Sequence, residues 1–466
     1  MKHRAWLGPA LVLAAAPLLP AFQHDATPGA DPAAARLDAL FADLHARGLF
    51  DGAAVVGRSG AEPWAGAYGW ADAERRVPFT PDTPADGGSL AKTMTAALVL
   101  ALADEGRLDL DAPARRLLPE LPYPEITLRH LLSHSSGIPV ADYDWFDPWL
   151  PQGRVRTTES LLGVLGEQRP ALAFPPGSAF EYSSLGFDLA ALAAARAAGR
   201  PVEGLFAERL FRPLGLGSAF LRPARLSDFP GARTRGHRRV DGRLEPHEVF
   251  DFEGFHGGSN VYLSARDLHR WSAAFLERRP LGERAFRQAH QPASIGGRPS
   301  GLTLGSWYRD AEGLAFSYAG HLQGFHDEAY RDTRTGLAVA YVSNNTLAPW
   351  LQHAIVLATT AAAEGRPALP LEPPATEPVD AAMRPRLAGR WRLEDGETIA
   401  IAHEPDRLAV TRDGVAYRMV QVDPRWFYVP GLDFMVGFAG EPAATPERIH
   451  VATNFAARWG RRVAGE

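Results

Sequence analysis

Gly88-Ser89-Leu90-Ala91-Lys92-Thr93 opens a run that stays apolar as far as Ala103. If the run is helical, Ser89 and Lys92 lie one turn apart on one face, and the amine can reach the alcohol. A serine alcohol is a weak nucleophile near neutral pH and needs an adjacent base. A lysine, with a free pKa of about 10.4, can be that base only where burial or a neighbouring cation favours its neutral form. Residues Thr93 to Ala103 are apolar nearly all round, which predicts a buried helix. Asp104-Glu105-Gly106 gives it a polar end and a glycine stop. Alone, the pair also suits an ordinary helix start, with Ser89 as cap and Lys92 in solvent.

Two later segments carry compatible chemistry. Phe174-Pro175-Pro176-Gly177 marks a turn, and Phe180-Glu181-Tyr182-Ser183-Ser184-Leu185-Gly186 follows before a helical pattern from Phe187 to Ala198. A loop tyrosine placed beside a lysine can relay protons to and from a serine; as a lone residue it reads equally as part of the core. Tyr318-Ala319-Gly320-His321-Leu322-Gln323-Gly324-Phe325 lies among β-prone residues, and Leu337 to Val342 reads as the next strand. A glycine on a cleft-facing strand admits close backbone approach.

Taken together these segments resemble the serine β-lactamase and penicillin-binding-protein-like superfamily, in particular its class C-like branch of esterases, D-aminopeptidases, DD-carboxypeptidases and β-lactamases. The resemblance runs from about Leu37 to Gly365. It rests on Gly88 to Thr93, Glu105 to Asp111, Ile126 to Ile138 (with Leu131-Leu132-Ser133-His134-Ser135-Ser136-Gly137), Pro176 to Ser183, Phe211 to Leu216, Gly257-Gly258-Ser259-Asn260 to Leu268, and Val342 to Asn345. It implies a β-lactamase/transpeptidase-like fold of the α/β (α+β) class: an antiparallel sheet flanked by helices, plus an all-α subdomain. It further implies that Ser89, Lys92 and Tyr182 are catalytic. Ser184 and His321 would contact substrate, and backbone amides of Ser89 and of the strand near Gln323-Gly324 would hold the oxyanion. Two positions depart from the family pattern. Ser184 stands where an asparagine is usual and lacks its amide, and Gln323 stands where a glycine is usual in the Lys/His-x-Gly motif.

The implied reaction is acyl-enzyme hydrolysis of an ester or a peptide-like amide, without metal or organic cofactor. Lys92 and Tyr182 remain alternative acylation bases. Two other functions fit the same residues: a catalytically impaired homologue that binds peptidoglycan peptides or a protein partner, and an acyltransferase using the same acyl-enzyme. His130 and His134 have the i, i+4 spacing of a zinc pair, but Leu131 occupies the place of the metalloprotease glutamate. Within the resemblance they read as structural.

Composition bounds the remainder. The 466 residues carry a net charge of −5 with no long basic block, which argues against nucleic-acid binding. There is no cysteine, so neither a disulfide nor a lipidated cysteine is available. Lys2, Arg4 and the apolar Ala5 to Leu19 read as an export signal over residues 1–23, implying a periplasmic or secreted protein; an uncleaved anchor is the alternative. No stable membrane insertion is expected after cleavage, and the expected partner is a small-molecule or peptide-like substrate.

The remaining organisation follows: a catalytic domain over 30–365, a Pro-rich linker over 366–385, and a small all-β barrel or sandwich over 386–466. The linker precedes a change to short β-like runs with Asp-Gly turns. That module reads as a stabilising or interaction unit, or as a limit on cleft access. Strands are expected again from about Ser306. The loop Pro139 to Arg156, with Tyr143, Trp145, Phe146 and Trp149, reads as a packed cover or a substrate-lining wall.

Overall fold

The computed structural model describes residues 31–463, apart from 140–154, 232, 241–242, 249–252, 280, 311, 368–370, 372–379, 394–395, 413, 424, 430–433, 440–443 and 454–456. The candidate export signal and the aromatic part of the loop after Pro139 therefore lie outside the described residues.

An eight-stranded antiparallel sheet organises the larger unit. Its strands are β1 (Gly52–Arg58), β2 (Trp64–Tyr68), β3 (Pro292–Ile295), β4 (Arg298–Thr303), β5 (Tyr308–Arg309), β6 (Ala315–Leu322), β7 (Phe325–Asp332) and β8 (Leu337–Ser343). Their spatial order is β3-β4-β5-β6-β7-β8-β1-β2, so the N-terminal hairpin joins the C-terminal meander along β1 and β8. The strands resume at Pro292, earlier than the sequence pattern suggested. Pro292 and Pro299 lie on this outer hairpin, where a missing ladder donor is tolerated.

The sheet is covered on both faces, which is why β8 is buried at every residue. One face takes α1 (Pro32–Ala46) and the C-terminal helix Pro349–Glu364, packed around Phe41, Phe50, Tyr341 and Ile355. The other takes α2 (Ala91–Asp104) and the helix Ala265–Leu276, whose Trp271 Nε1 donates to Thr93 Oγ1 at 2.9 Å. Beside α2 stand α3 (Leu128–Leu132), α4 (Thr158–Gln168) and α5 (Ser184–Ala198), which share its core. α2 and α5 are rich in alanine and almost wholly buried, so their backbones approach closely.

Period-two alternation assigns the faces of the sheet. Tyr318 and Gly320 of β6, with Asp327, Ala329 and Arg331 of β7, point toward the α2 side. Ala319 and His321, with His326 and Glu328, point toward the α1 side.

From Gly389 onward eight antiparallel strands close into a barrel. Its interior is filled by Trp391, Ile399, Leu408, Met419, Phe427, Val436 and Ile449. Closure removes the exposed strand edges of so small a unit. The barrel leans on the sheet through Trp459, whose Nε1 donates to the Arg309 carbonyl at 3.3 Å.

Candidate active site

Ser89 sits in the single 3₁₀ turn, Gly88–Leu90, that leads into α2. One turn on, Lys92 is fully buried. Its Nζ lies 3.2 Å from Ser89 Oγ, 2.9 Å from Ser184 Oγ and 2.6 Å from the Gly258 carbonyl. Three oxygens thus take the three directions an ammonium can donate, and among the described residues no carboxylate pairs with it. Tyr182 Oη donates to Ser89 Oγ at 2.7 Å, and Lys92 Nζ stands 4.6 Å above the Tyr182 ring. An alcohol, an amine and a phenol from positions 89, 92 and 182 therefore meet at one oxygen. Ser184, despite lacking an amide, reaches the lysine directly because it is the first residue of α5, whose N-terminus abuts α2.

The lysine's third acceptor comes from a pair of glycines. A β-carbon on Gly257 would lie 2.6 Å from Ala191 Cβ and from the Phe187 carbonyl; one on Gly258 would lie 2.5 Å from the Ser184 carbonyl. Only glycine lets this loop wedge against α5 and aim a carbonyl at Nζ. Gly258 N–H is held by Asp188 Oδ1 at 2.7 Å, and Thr95 Oγ1 binds the Gly257 carbonyl at 2.8 Å. The doubled glycine was visible in the sequence, but its partner was not.

His134 holds the tyrosine. Its carbonyl accepts the N–H of Glu181 and its Nδ1 accepts the N–H of Ser183, both at 2.9 Å, so the two amides flanking Tyr182 end on one residue. Its ring stacks on Tyr182 with centroids 4.6 Å apart. Burial, reinforced by the Lys92 charge, keeps the imidazole well below its usual pKa, so it is neutral and its remaining proton is on Nε2. The zinc-like spacing with His130 is not realised on a helix face. α3 ends at Leu132, His134 turns into the left-handed region at φ 56°, and His130 Nδ1 instead caps Thr127 N–H at 3.3 Å.

The strand segment differs from the sequence reading. β6 ends at Leu322, and Gln323-Gly324 form the two-residue turn into β7, with Gln323 exposed. Gly324, at φ 76°, is needed for packing: a β-carbon there would lie 2.0 Å from the His247 carbonyl. The glycine that meets the nucleophile loop is Gly320, where a β-carbon would stand 1.9 Å from the Gly87 carbonyl. The matching motif is therefore Tyr318-Ala319-Gly320, three residues earlier than His321-Leu322-Gln323. His321 is also corrected. Its side chain shares the α1-side face with His326, the two Nδ1 atoms 3.4 Å apart, rather than facing Ser89. Its backbone is what faces the site. Leu322 and Phe325 flank a two-residue turn and form its bonded pair, so the N–H and C=O of His321 point away from β7. Both lie about the 3.0 Å limit from where a Gly88 β-carbon would be.

A family model described as Beta-lactamase matches residues 37–361. The chain belongs to that family. Among beta-lactamase relatives, it is 24% identical over 427 residues to "Penicillin-binding protein 4*" of Bacillus subtilis (strain 168), covering 88% of this chain and 94% of the relative. It is 32% identical over 278 residues to "Esterase EstB" of Burkholderia gladioli, covering 51% and 68%. A solved structure of SurE superposes with a TM-score of 0.62 at 26% identity, covering 93% of this chain and all of the other. The β-lactamase/transpeptidase fold and the reading as a serine hydrolase agree with these comparisons.

Against this beta-lactamase framework two further phenols stand out. Tyr318 is buried on the α2 side of β6, and Tyr308 of β5 stacks on it with centroids 5.4 Å apart and planes 6° from parallel. Burial drives both phenols well above their usual pKa, with Tyr182 adding to the effect. Sequence reasoning passed over Tyr318 because an isolated strand tyrosine looks like core.

Proposed function

We propose that Ser89 is the nucleophile of an acyl-enzyme reaction on an ester or a peptide-like amide. The observation that carries the reading is the convergence of Lys92 Nζ and Tyr182 Oη on Ser89 Oγ, at 3.2 and 2.7 Å. The Ser89 oxygen bonds to the acyl carbon as its proton passes to the Lys92–Tyr182 pair. That proton then goes to the departing alcohol or amine, and water releases the acyl group by the reverse relay. The N–H groups of Ser89 and His321 are the proposed oxyanion donors. This is supported by the direction of the His321 amide, which points away from β7, and by Gly320, which brings the strand against the nucleophile loop. His134 keeps Tyr182 in place, and Ser184 and Gly258 fix Lys92.

A fluorophosphonate probe tests the nucleophile: it should label the wild type and spare Ser89→Ala, and equal labelling of both would overturn the assignment. A panel of p-nitrophenyl esters, D-amino-acid amides and a chromogenic cephalosporin, with Ser89→Ala alongside, assigns the acyl group. We also propose export to the periplasm or medium, supported by the charge and apolar pattern of residues 1–23. N-terminal sequencing of the protein recovered outside the cytoplasm would test it.

A further inference from the structure

The loop that carries Gly258 is pinned from several sides. Asn260 Nδ2 donates to the Phe255 carbonyl at 2.7 Å and closes the loop on itself. Thr95 of α2 and Asp188 of α5 hold Gly257 and Gly258. A further anchor is His256, which stands just before this glycine pair and is largely buried. Its Nδ1 lies 3.2 Å from Glu203 Oε1, on the helix Val202–Phe206. Its Nε2 lies 2.9 Å from the Arg222 carbonyl, just past the strand Phe220–Leu221. A carbonyl can only accept, and so can an ionised carboxylate; the hydrogen bond from His256 itself holds Glu203 below the usual carboxylate range. A neutral imidazole has one N–H and would turn a lone pair toward one of these oxygens. Two acceptors on opposite ring nitrogens require the imidazolium. The charged groups packed around this loop are Glu203, Asp188 from α5, Lys92 from α2 and Arg222. Burial opposes the cation, but Glu203, the Arg222 carbonyl and Asp188 outweigh it and raise the His256 pKa above its ordinary value. Residue 222 is in turn tied to the nucleophile turn. Its Nε lies 3.9 Å from Asp86 Oδ2, and Asp86 Oδ1 accepts the Gly88 N–H at 3.0 Å.

We propose that His256 is a positioning residue for Lys92: as an imidazolium donating to both the Glu203 carboxylate and the Arg222 carbonyl, it fixes the loop whose Gly258 carbonyl orients the lysine. The inference rests on the serine-hydrolase reading above. His256 acts through the loop, not on the reacting atoms. When the ring gives a proton to solvent, one nitrogen faces an oxygen with a lone pair and that contact turns repulsive. The loop then loses an anchor, and Nζ loses the fixed position of its third acceptor. The sign follows: turnover is supported while His256 is charged and falls as pH rises through its titration.

The test is the pH dependence of kcat and KM on a p-nitrophenyl ester for wild type, His256→Gln, Glu203→Gln and Ser89→Ala, with the His256 imidazole followed by NMR. The wild type should lose kcat on the alkaline side over the pH range in which His256 titrates; a flat kcat across that range would overturn the proposal. His256→Gln can donate to only one of the two acceptors. The expected result is a fall in kcat of about tenfold with KM little changed, and loss of that alkaline limb. Glu203→Gln keeps an acceptor oxygen but removes the charge, so the His256 titration and the alkaline limb should move together to lower pH. If His256→Gln keeps the wild-type kcat and alkaline limb while Ser89→Ala is inactive, the proposal fails and the serine-hydrolase reading stands. If Ser89→Ala retains full turnover, that reading fails and takes the proposal with it. Should His256→Gln not fold, Glu203→Gln decides alone, since the Glu203 side chain is 58% exposed and its replacement leaves the core intact. An alkaline limb that stays in place while the NMR titration moves would overturn the proposal.

Discussion

Two buried cations lie on the same side of the central sheet, and they are solvated by opposite means. Lys92 is surrounded by oxygen: two serine hydroxyls and a carbonyl, all within 3.2 Å. Arg331, four residues along β7 from the strand position opposite Gly320, is boxed by the rings of Trp307, Phe275 and Phe316 at 4.1, 4.5 and 4.6 Å. Among the described residues its guanidinium has one hydrogen-bond partner, His290, whose Nε2 accepts at 3.0 Å, and its Nε and Nη1 have none. Burying an unpaired charge costs several kcal/mol, so both environments must compensate. Oxygen ligands do so while holding a reactive hydroxyl in place; ring faces do so by packing alone. The comparison teaches that burial of a cation does not mark a site. The identity of the atoms it holds does.

The largest effects should separate the two cations by function. Ser89→Ala should lower turnover of the best ester by about a thousandfold or more, and Lys92→Ala by about a hundredfold or more, in initial-rate assays. A near-normal rate in Lys92→Ala would remove lysine from the mechanism and leave the two cations alike. Arg331→Ala should do the reverse, lowering unfolding free energy by about 2–5 kcal/mol in denaturant titration while kcat of the folded fraction is kept. Loss of kcat without loss of stability would mean that the aromatic box serves the chemistry.

Gly320→Ala lies between these extremes. The added methyl meets the Gly87 carbonyl, so either the strand or the nucleophile loop must retreat. We expect about a hundredfold loss in kcat, the size of one displaced oxyanion donor, with KM less affected. Gly324→Ala should instead act on stability, since its contact is with the His247 carbonyl.

The smallest effect sharpens the contrast between polar groups on the sheet. Burial raises Glu328 to about 8, partly offset by the Tyr341 hydroxyl, and raises Asp327 as well. Each therefore holds a proton in the folded chain that the unfolded chain has already released. The sign follows: stability falls as pH rises from the free carboxylate range, and for Glu328 the fall ends near pH 8. The slope is at most about 1.4 kcal/mol per pH unit for each group. Glu328→Gln should flatten its share of that slope in melts between pH 5 and 8, leaving turnover unchanged. An unchanged slope would show that Glu328 is not protonated in the fold.

Much of the fold was legible because local chemistry and global packing agree. The apolar run after Lys92 is α2, the alternating segments around position 320 and from Leu337 are central strands, and the change of texture after the proline-rich stretch precedes a closed barrel. The third motif was misread by three residues. Both Gly320 and Gly324 are glycines beside a histidine-bearing strand end, and only the contacts of an imagined β-carbon distinguish them. His321 was assigned by residue type, whereas the parity of its strand position sends its ring to the opposite face.

By itself, the sequence determined the residue chemistry and its local geometry: a serine and a lysine one helical turn apart, a tyrosine just before a helix, and glycines where backbones must touch. These follow from backbone periodicity and steric exclusion, which act over a few residues. Tertiary structure alone decided that Gly258 and Ser184 complete the lysine's ligands, and that His134 takes both amides around Tyr182. Those partners lie tens to hundreds of residues apart, and a hydrogen bond depends on where two atoms finish in space, which no local pattern encodes.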